Sequence, residues 1–127
     1  MLSTSADLRV AITHGKVTGN RVRTLRLSIG LTVADIARVL GVPERTVNRF
    51  ETDKAALTTV EADRAYRLAR IADLATDLIG DAERAKRWLK APNRYLGGDA
   101  PVVAIETELG SDLVQEALYA IAYGGVG

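Results

Sequence analysis

The sequence predicts an all-α protein. Apolar residues recur at three- and four-residue spacing, no segment alternates apolar and polar residues as a half-buried strand does, and the short breaks carry Gly, Pro or Asn. At 127 residues the chain makes one domain, or two very small ones sharing a core. No repeat and no low-complexity tract interrupts it.

Taken in order, a short amphipathic piece is expected from Ala6 to Thr13, stopping at Gly15. In "NRVRTLRLSIG", Val22, Leu25 and Ile29 share a helical face, with Asn20 a candidate N-cap and Gly30 a C-cap. Thr32 precedes a stripe of Val33, Ile36, Ala37 and Leu40, which Gly41 closes. Pro43 suits a first helical residue, since its φ is preset and its missing N–H is no loss there; Thr46, Val47 and Phe50 carry that helix. A longer helix is expected from Val60 to Ile79, with Leu68, Ile71, Ala72, Ala75, Leu78 and Ile79 on one side. Arg64, Arg67, Arg70, Asp73 and Asp77 lie largely on another, and Gly80 ends the helix.

Asp81 is placed to cap "AERAKRWLK", whose Ala85, Trp88 and Leu89 face inward. Pro92 disfavours helix at Ala91, so the chain leaves the helix there. After Gly97-Gly98, Pro101 is expected to restart a helix reaching Leu109, with Ile105 and Leu109 buried. Gly110 then breaks that helix. Ser111 caps a last one, in which Leu113, Val114, Ala117, Leu118 and Ile121 form the apolar stripe.

Two short helices joined at Gly41 carry the signature of a helix-turn-helix. The requirement is steric. A small residue at Ala37 lets the second helix cross closely, Gly41 takes the tight turn, and Val47 fills the space between the helices. Ile36, Leu40, Val42 and Phe50 complete that core. The second helix then presents Glu44, Arg45, Thr46, Asn48 and Arg49. Arg and Asn can read base edges, while Arg38 and Lys54 are placed to hold phosphates. The alternative is a helical scaffold with solvated arginines.

Composition narrows the chemistry. There is no cysteine, which excludes disulfides and thiolate metal sites, and the one histidine, His14, is read as a solvated or capping residue. No phosphate-cradling glycine motif and no nucleophile elbow is present. No catalytic residue, metal or cofactor is therefore expected, and the chain is not read as an enzyme. The N-terminus has no basic start and no apolar run, so no secretion signal is expected; with no spanning segment either, a cytoplasmic location is the expectation.

Charge is unevenly spread. Residues 1–54 hold nine Lys/Arg against five Asp/Glu, whereas residues 55–127 hold eight against eleven. From Tyr95 onward there are five acids and no base. Such a split suggests two different partners.

The stretch from Arg84 to Gly124 resembles the C-terminal toxin-binding domain of the Xre/MbcA/ParS-type antitoxins. The shared points run in order: Trp88-Leu89, Pro92-Asn93, Leu96-Gly97-Gly98, Pro101, Gly110 and Tyr123-Gly124. "EADRAYRLARI" is similar to that family's linking helix, so the resemblance covers roughly residues 20 to 127. It implies a helix-turn-helix domain over 1–58, a linking helix over 59–80 and a toxin-binding domain over 81–127. It further implies an antitoxin of a RES–Xre module, a homodimer that neutralises a RES-domain toxin. Such toxins resemble ADP-ribosyltransferases and destroy NAD. The antitoxin's C-terminal segment blocks the toxin's active site, and its helix-turn-helix binds operator DNA to repress its own operon.

On that reading Trp88, Gly97 and Gly98 shape the domain, and Asn93 hydrogen-bonds the glycine turn. Toxin contacts are expected at Asn93 and Arg94 and on the exposed end, at Tyr119, Tyr123, Gly124, Gly125 and Val126. Glu106, Glu108, Asp112 and Glu116 are expected to complement a cationic toxin pocket. Two positions depart from the family pattern. Ala100 stands where a capping hydroxyl is usual, so that Asp99 is expected to cap instead, and the tail is short and glycine-rich. Two other readings remain: a helix-turn-helix repressor whose C-terminal half dimerises or senses a ligand, and an adaptor that binds no DNA.

Overall fold

The computed structural model describes residues 17–53 and 55–124. The predicted piece from Ala6 to Thr13, together with His14, Lys54, Gly125 and Val126, lies outside the described residues. Among the described residues seven α-helices follow one another: α1 (Gly19–Ile29), α2 (Val33–Leu40), α3 (Glu44–Asp53), α4 (Thr59–Ile79), α5 (Ala82–Lys90), α6 (Pro101–Ala104) and α7 (Glu108–Tyr123). A 3-10 turn, Arg94–Leu96, lies between α5 and α6. One isolated antiparallel bridge, Thr18 with Ala56, is the extended pairing among the described residues.

The first three helices are held as the apolar pattern requires. Val22, Leu25 and Ile29 are buried, as are Ile36, Ala37, Leu40, Val47 and Phe50. Thr32 and Asp35 make a reciprocal capping box at the start of α2. At its end Gly41 takes φ +71°, where an L side chain is strained, so the chain can turn tightly into α3. Two boundaries differ from expectation. Thr18, not Asn20, occupies the N-cap of α1, and its side chain makes no capping bond; Asn20 falls inside the helix. Pro43 sits one residue ahead of α3, where its carbonyl accepts from the Thr46 N–H at 2.9 Å. α3 is fixed to α1 by Arg26, which donates to both Glu51 oxygens at 2.9 and 2.8 Å and to the Leu31 carbonyl at 3.2 Å.

α4 is the axis shared by both halves. Thr58 and Glu61 form a capping box at its start. Its buried residues are Ala62, Ala65, Leu68, Ala69, Ile71 and Ala75, four of them alanines that let neighbouring helices approach closely. It packs against α1 and α2 on the N-terminal side and against α5 and α7 on the C-terminal side. Three arginines at successive three-residue steps extend these contacts. Arg64 donates to the Leu40 carbonyl at 2.9 Å, Arg67 to the Ile105 carbonyl at 3.1 Å, and Arg70 to Gln115 Oε1 at 3.1 Å. The first also places a cation at the negative C-terminal end of α2.

The segment after Pro92 departs most from expectation. Ala91 is extended, as Pro92 demands, and Asp81 caps α5 through the Arg84 N–H at 2.9 Å. Ala85 and Leu89 are buried, but Trp88 is only half-buried. The helix begun at Pro101 does not reach Leu109. It stops at Ala104, because Thr107 turns extended and its hydroxyl accepts the Gly110 N–H at 2.9 Å. Thr107, rather than Ser111, is therefore the cap of the last helix. Ser111 is buried inside α7, and its hydroxyl has no hydrogen-bond partner. Ile105 is buried as expected, whereas Leu109 swings to the surface and is 69% exposed. Gly110 does not end a helix. It stands in the first turn of α7, where a Cβ would overlap the Ala104 carbonyl. Ala100 occupies the N-cap of α6 with no side-chain capping bond, so Asp99 does not take over that role.

Candidate functional sites on two faces

The N-terminal face is the exposed side of α3. Val47 and Phe50 point inward, which turns Arg45, Asn48, Arg49 and Thr52 outward at helical spacing. Glu44 at the first turn is exposed, and Thr46 is half-buried beside it. Arg26 keeps that face fixed relative to α1. Its hydrogen bonds to Glu51 raise an already high guanidinium pKa, against the opposing effect of burial, so the guanidinium stays charged. Arg38, 59% exposed at the end of α2, is not simply solvated: its Nε donates to Glu106 Oε1 at 3.2 Å. A residue expected at DNA and one expected at a toxin thus meet.

The C-terminal face is built around α7. Glu108, Asp112, Glu116, Tyr119 and Tyr123 are all exposed. Their steps of four, four, three and four residues put them on one ridge running the length of the helix. Tyr119 and Tyr123 stack at its far end, with ring centroids 5.9 Å apart and planes 17° from parallel. Leu109 and Leu113, each one residue beyond an acid of the ridge, form an exposed apolar strip about 100° further round. Glu106 lies off the ridge, on the α6–α7 turn.

Beside α7 runs a groove of about 570 Å³. Ala117, Ala120 and Ile121 line it from α7, Trp88 and Pro92 from the end of α5, and Asn93, Arg94 and Tyr95 from the 3-10 turn. Gly97 and Gly98, both at positive φ, reverse the chain next to it. Asn93 is the anchor of that reversal. Its Oδ1 accepts the Tyr95 N–H at 2.9 Å, its carbonyl accepts the Gly98 N–H at 2.9 Å, and its N–H donates to the Asp99 carbonyl at 3.1 Å. Its backbone N–H, carbonyl and side-chain oxygen are thus engaged within the turn, while Arg94 and Tyr95 stand exposed. Leu109, Leu113, Trp88 and Tyr95 were not among the residues expected to contact a partner. The sequence assigns Trp88, Leu109 and Leu113 to a core, and only the break at Thr107 turns Leu109 outward.

The described residues hold no group of three or more His, Cys, Asp or Glu that could bind a metal ion, and no helix long and apolar enough to cross a membrane.

Comparison with known proteins agrees with this two-faced construction. Residues 21–70 match the profile of the "Antitoxin Xre-like helix-turn-helix domain". Residues 74–124 match that of the "Antitoxin Xre/MbcA/ParS C-terminal toxin-binding domain". A protein named antitoxin Xre from Yersinia enterocolitica is 31% identical over 104 residues, covering 81% of this chain and 70% of its own length. The chain belongs to the Xre antitoxin family. Antitoxin Xre of Pseudomonas putida is 39% identical over 84 residues, which are 65% of this chain but 52% of that protein. Antitoxin Xre of Photorhabdus laumondii is 35% identical over 91 residues, 71% of this chain and 62% of the relative. The chain thus spans between half and two thirds of the length of two of these relatives. The Xre helix-turn-helix match takes in α1–α3 and the first half of α4. The toxin-binding match takes in the last six residues of α4 and everything to the end of α7.

Proposed function

We propose that this Xre-family chain is the antitoxin of a two-protein module whose toxin is a RES-domain enzyme that degrades NAD. The carrying observation is the α7 ridge: three carboxylates followed by two stacked tyrosines, all exposed, beside an apolar groove with Tyr95 on its rim. A lone soluble helix has no use for Leu109, Tyr119 and Tyr123 facing water together, whereas a docking face does. Glu108, Asp112 and Glu116 complement a pocket made cationic to hold a dinucleotide's phosphates, and Tyr119, Tyr123 and the residues after them enter it. Asn93 and Arg94 border the same face. The chain supplies no catalytic group and needs no cofactor; the NAD belongs to the partner.

The helix-turn-helix binds operator DNA through Arg45, Thr46, Asn48 and Arg49, with Arg38 and Lys54 on phosphates and Glu44 at the groove edge. The net charge of +1 gives little non-specific attraction, so repression is carried by a cytoplasmic homodimer reading two half-sites. In this proposal residues 1–58 serve DNA, 59–80 link, and 81–127 serve the toxin. The exposed apolar side chains favour docking over the alternative of a repressor that encloses a ligand.

The test mixes the purified chain with the toxin of its own module and follows NAD. The full chain is expected to stop NAD loss, and a chain ending at Ile121 to do so far less well. Undiminished inhibition by the shortened chain would remove the tail from the mechanism.

A further inference from the structure

We propose that Glu106 is an internal competitor for Arg38, a carboxylate standing in for a DNA phosphate, so that the C-terminal half restrains DNA binding by the N-terminal half. The inference rests on the DNA-binding reading above and goes beyond it, since it assigns Glu106 a partner within the chain.

The two residues are 68 positions apart in sequence, yet Arg38 Nε and Glu106 Oε1 are 3.2 Å apart. Their meeting is built in by the surrounding structure. α2 packs directly on α6. Ile105, the neighbour of Glu106, is buried, and its carbonyl accepts from Arg67 of α4 at 3.1 Å. That bond fixes the turn from which Glu106 projects. On the other side Arg64 holds the Leu40 carbonyl, two residues from Arg38. Both ends of the pair are therefore anchored to the same helix.

The location matters as much as the contact. Arg38, Pro43, Glu44 and Glu106 line one shallow trough between the end of α2 and the start of α3. In a docked helix-turn-helix the first helix crosses the DNA backbone, and the N-terminal residues of the second meet base edges. This trough is thus the edge at which a phosphate arrives. A carboxylate there takes the geometry a phosphate oxygen would take on the guanidinium, and adds repulsion of its own.

Exposure sets the size of the effect. The side chains are 59% and 33% exposed, so the pair is weak and acts as a brake rather than a lock. Its removal is expected to tighten DNA binding by up to about fivefold, the range of exposed ion pairs. With Arg38 released to a phosphate, the slope of log affinity on log salt steepens by about one.

The experiment measures binding by fluorescence anisotropy across a salt series. Its probes are a duplex taken from directly upstream of the protein's own gene and a mixed-sequence duplex of the same length. The variants are E106Q, R38Q, the double variant R38Q/E106Q, and E108Q, which removes a neighbouring charge from the same end of α7. E106Q is expected to bind both duplexes more tightly and with the steeper slope. E108Q should gain less, and the E106Q gain should vanish in the R38Q background. An equal gain from E106Q with and without Arg38 would show only the general field of a lost acid and would overturn the competition. So would no gain at all from E106Q when the wild type binds the upstream duplex and R49A, measured alongside, does not, an outcome that leaves the DNA-binding reading intact. If neither wild type nor E106Q binds either duplex, the DNA-binding reading falls and the competition falls with it.

Discussion

Arg26 and Glu51 meet through two parallel hydrogen bonds of 2.9 and 2.8 Å, with both side chains less than 15% exposed. The pair ties α1 to α3, and a third bond from the same guanidinium holds the Leu31 carbonyl in the loop before α2. One side chain therefore sets the angle at which the exposed face of α3 is presented. Replacing Arg26 by Ala leaves a largely buried carboxylate and a carbonyl without this donor, and is expected to cost about 3 kcal/mol. The urea midpoint should fall accordingly with the m-value unchanged. Lysine at the same position cannot form the two-pronged contact and should recover only part of the loss.

The break between α6 and α7 yields a paired prediction. Thr107→Ala removes a capping bond and is expected to cost about 1 kcal/mol. Ser111→Ala removes a buried hydroxyl with no partner, so it should be neutral or slightly stabilising despite complete burial. Thermal unfolding of the two variants checks both. A Ser111 variant less stable than the Thr107 variant would contradict the assignment of the cap.

Gly110→Ala should be worse than either. The added Cβ would meet the backbone carbonyl of Ala104, which no side-chain rotation can relieve, so α6 and α7 must separate. A loss of about 1–3 kcal/mol is expected, the usual range for overpacking. Trp88, the one tryptophan, lines the groove beside α7, and its emission reports whether the loosening reaches that face.

These positions show how far the sequence could be read. Helix existence was legible wherever a stripe of large apolar residues had a clear cap, as at Thr32 and Gly41 or at Asp81. The capping signal at Thr58–Glu61 has the same form and places the start of α4 one residue earlier than the apolar pattern does. The α6–α7 region misleads because Ile105 and Leu109 are four apart and look like one helical face. A single threonine hydroxyl outweighs that spacing, and a glycine that looks like a terminator is instead a contact point. Arg64, Arg67 and Arg70 show a second limit. As a pattern they form the solvated side of an amphipathic helix. In the fold their long side chains reach carbonyls and an amide on three other elements. Spacing identifies a face, but not what will lie opposite it. For the same reason the exposure of Arg45, Arg49, Glu108, Asp112 and Glu116 could be read from the sequence, while the Arg38–Glu106 contact could not.

The α7 ridge separates association from dissociation. Glu108, Asp112 and Glu116 are exposed and one helical turn apart, so in the proposed docking their effect on a toxin would act at a distance and be screened by salt. Reversing all three to Lys is expected to slow association by about tenfold or more at low salt, with the difference shrinking as salt is raised. Tyr119 and Tyr123 are uncharged and stacked, so their removal should leave that encounter rate alone and speed dissociation instead, as loss of an aromatic anchor does. Stopped-flow mixing of each variant with the proposed RES-domain toxin, over a range of ionic strength, resolves the two rates. If the acid variant associated as fast as the native chain at every salt concentration, the ridge would not face the toxin pocket, whatever the tyrosines did.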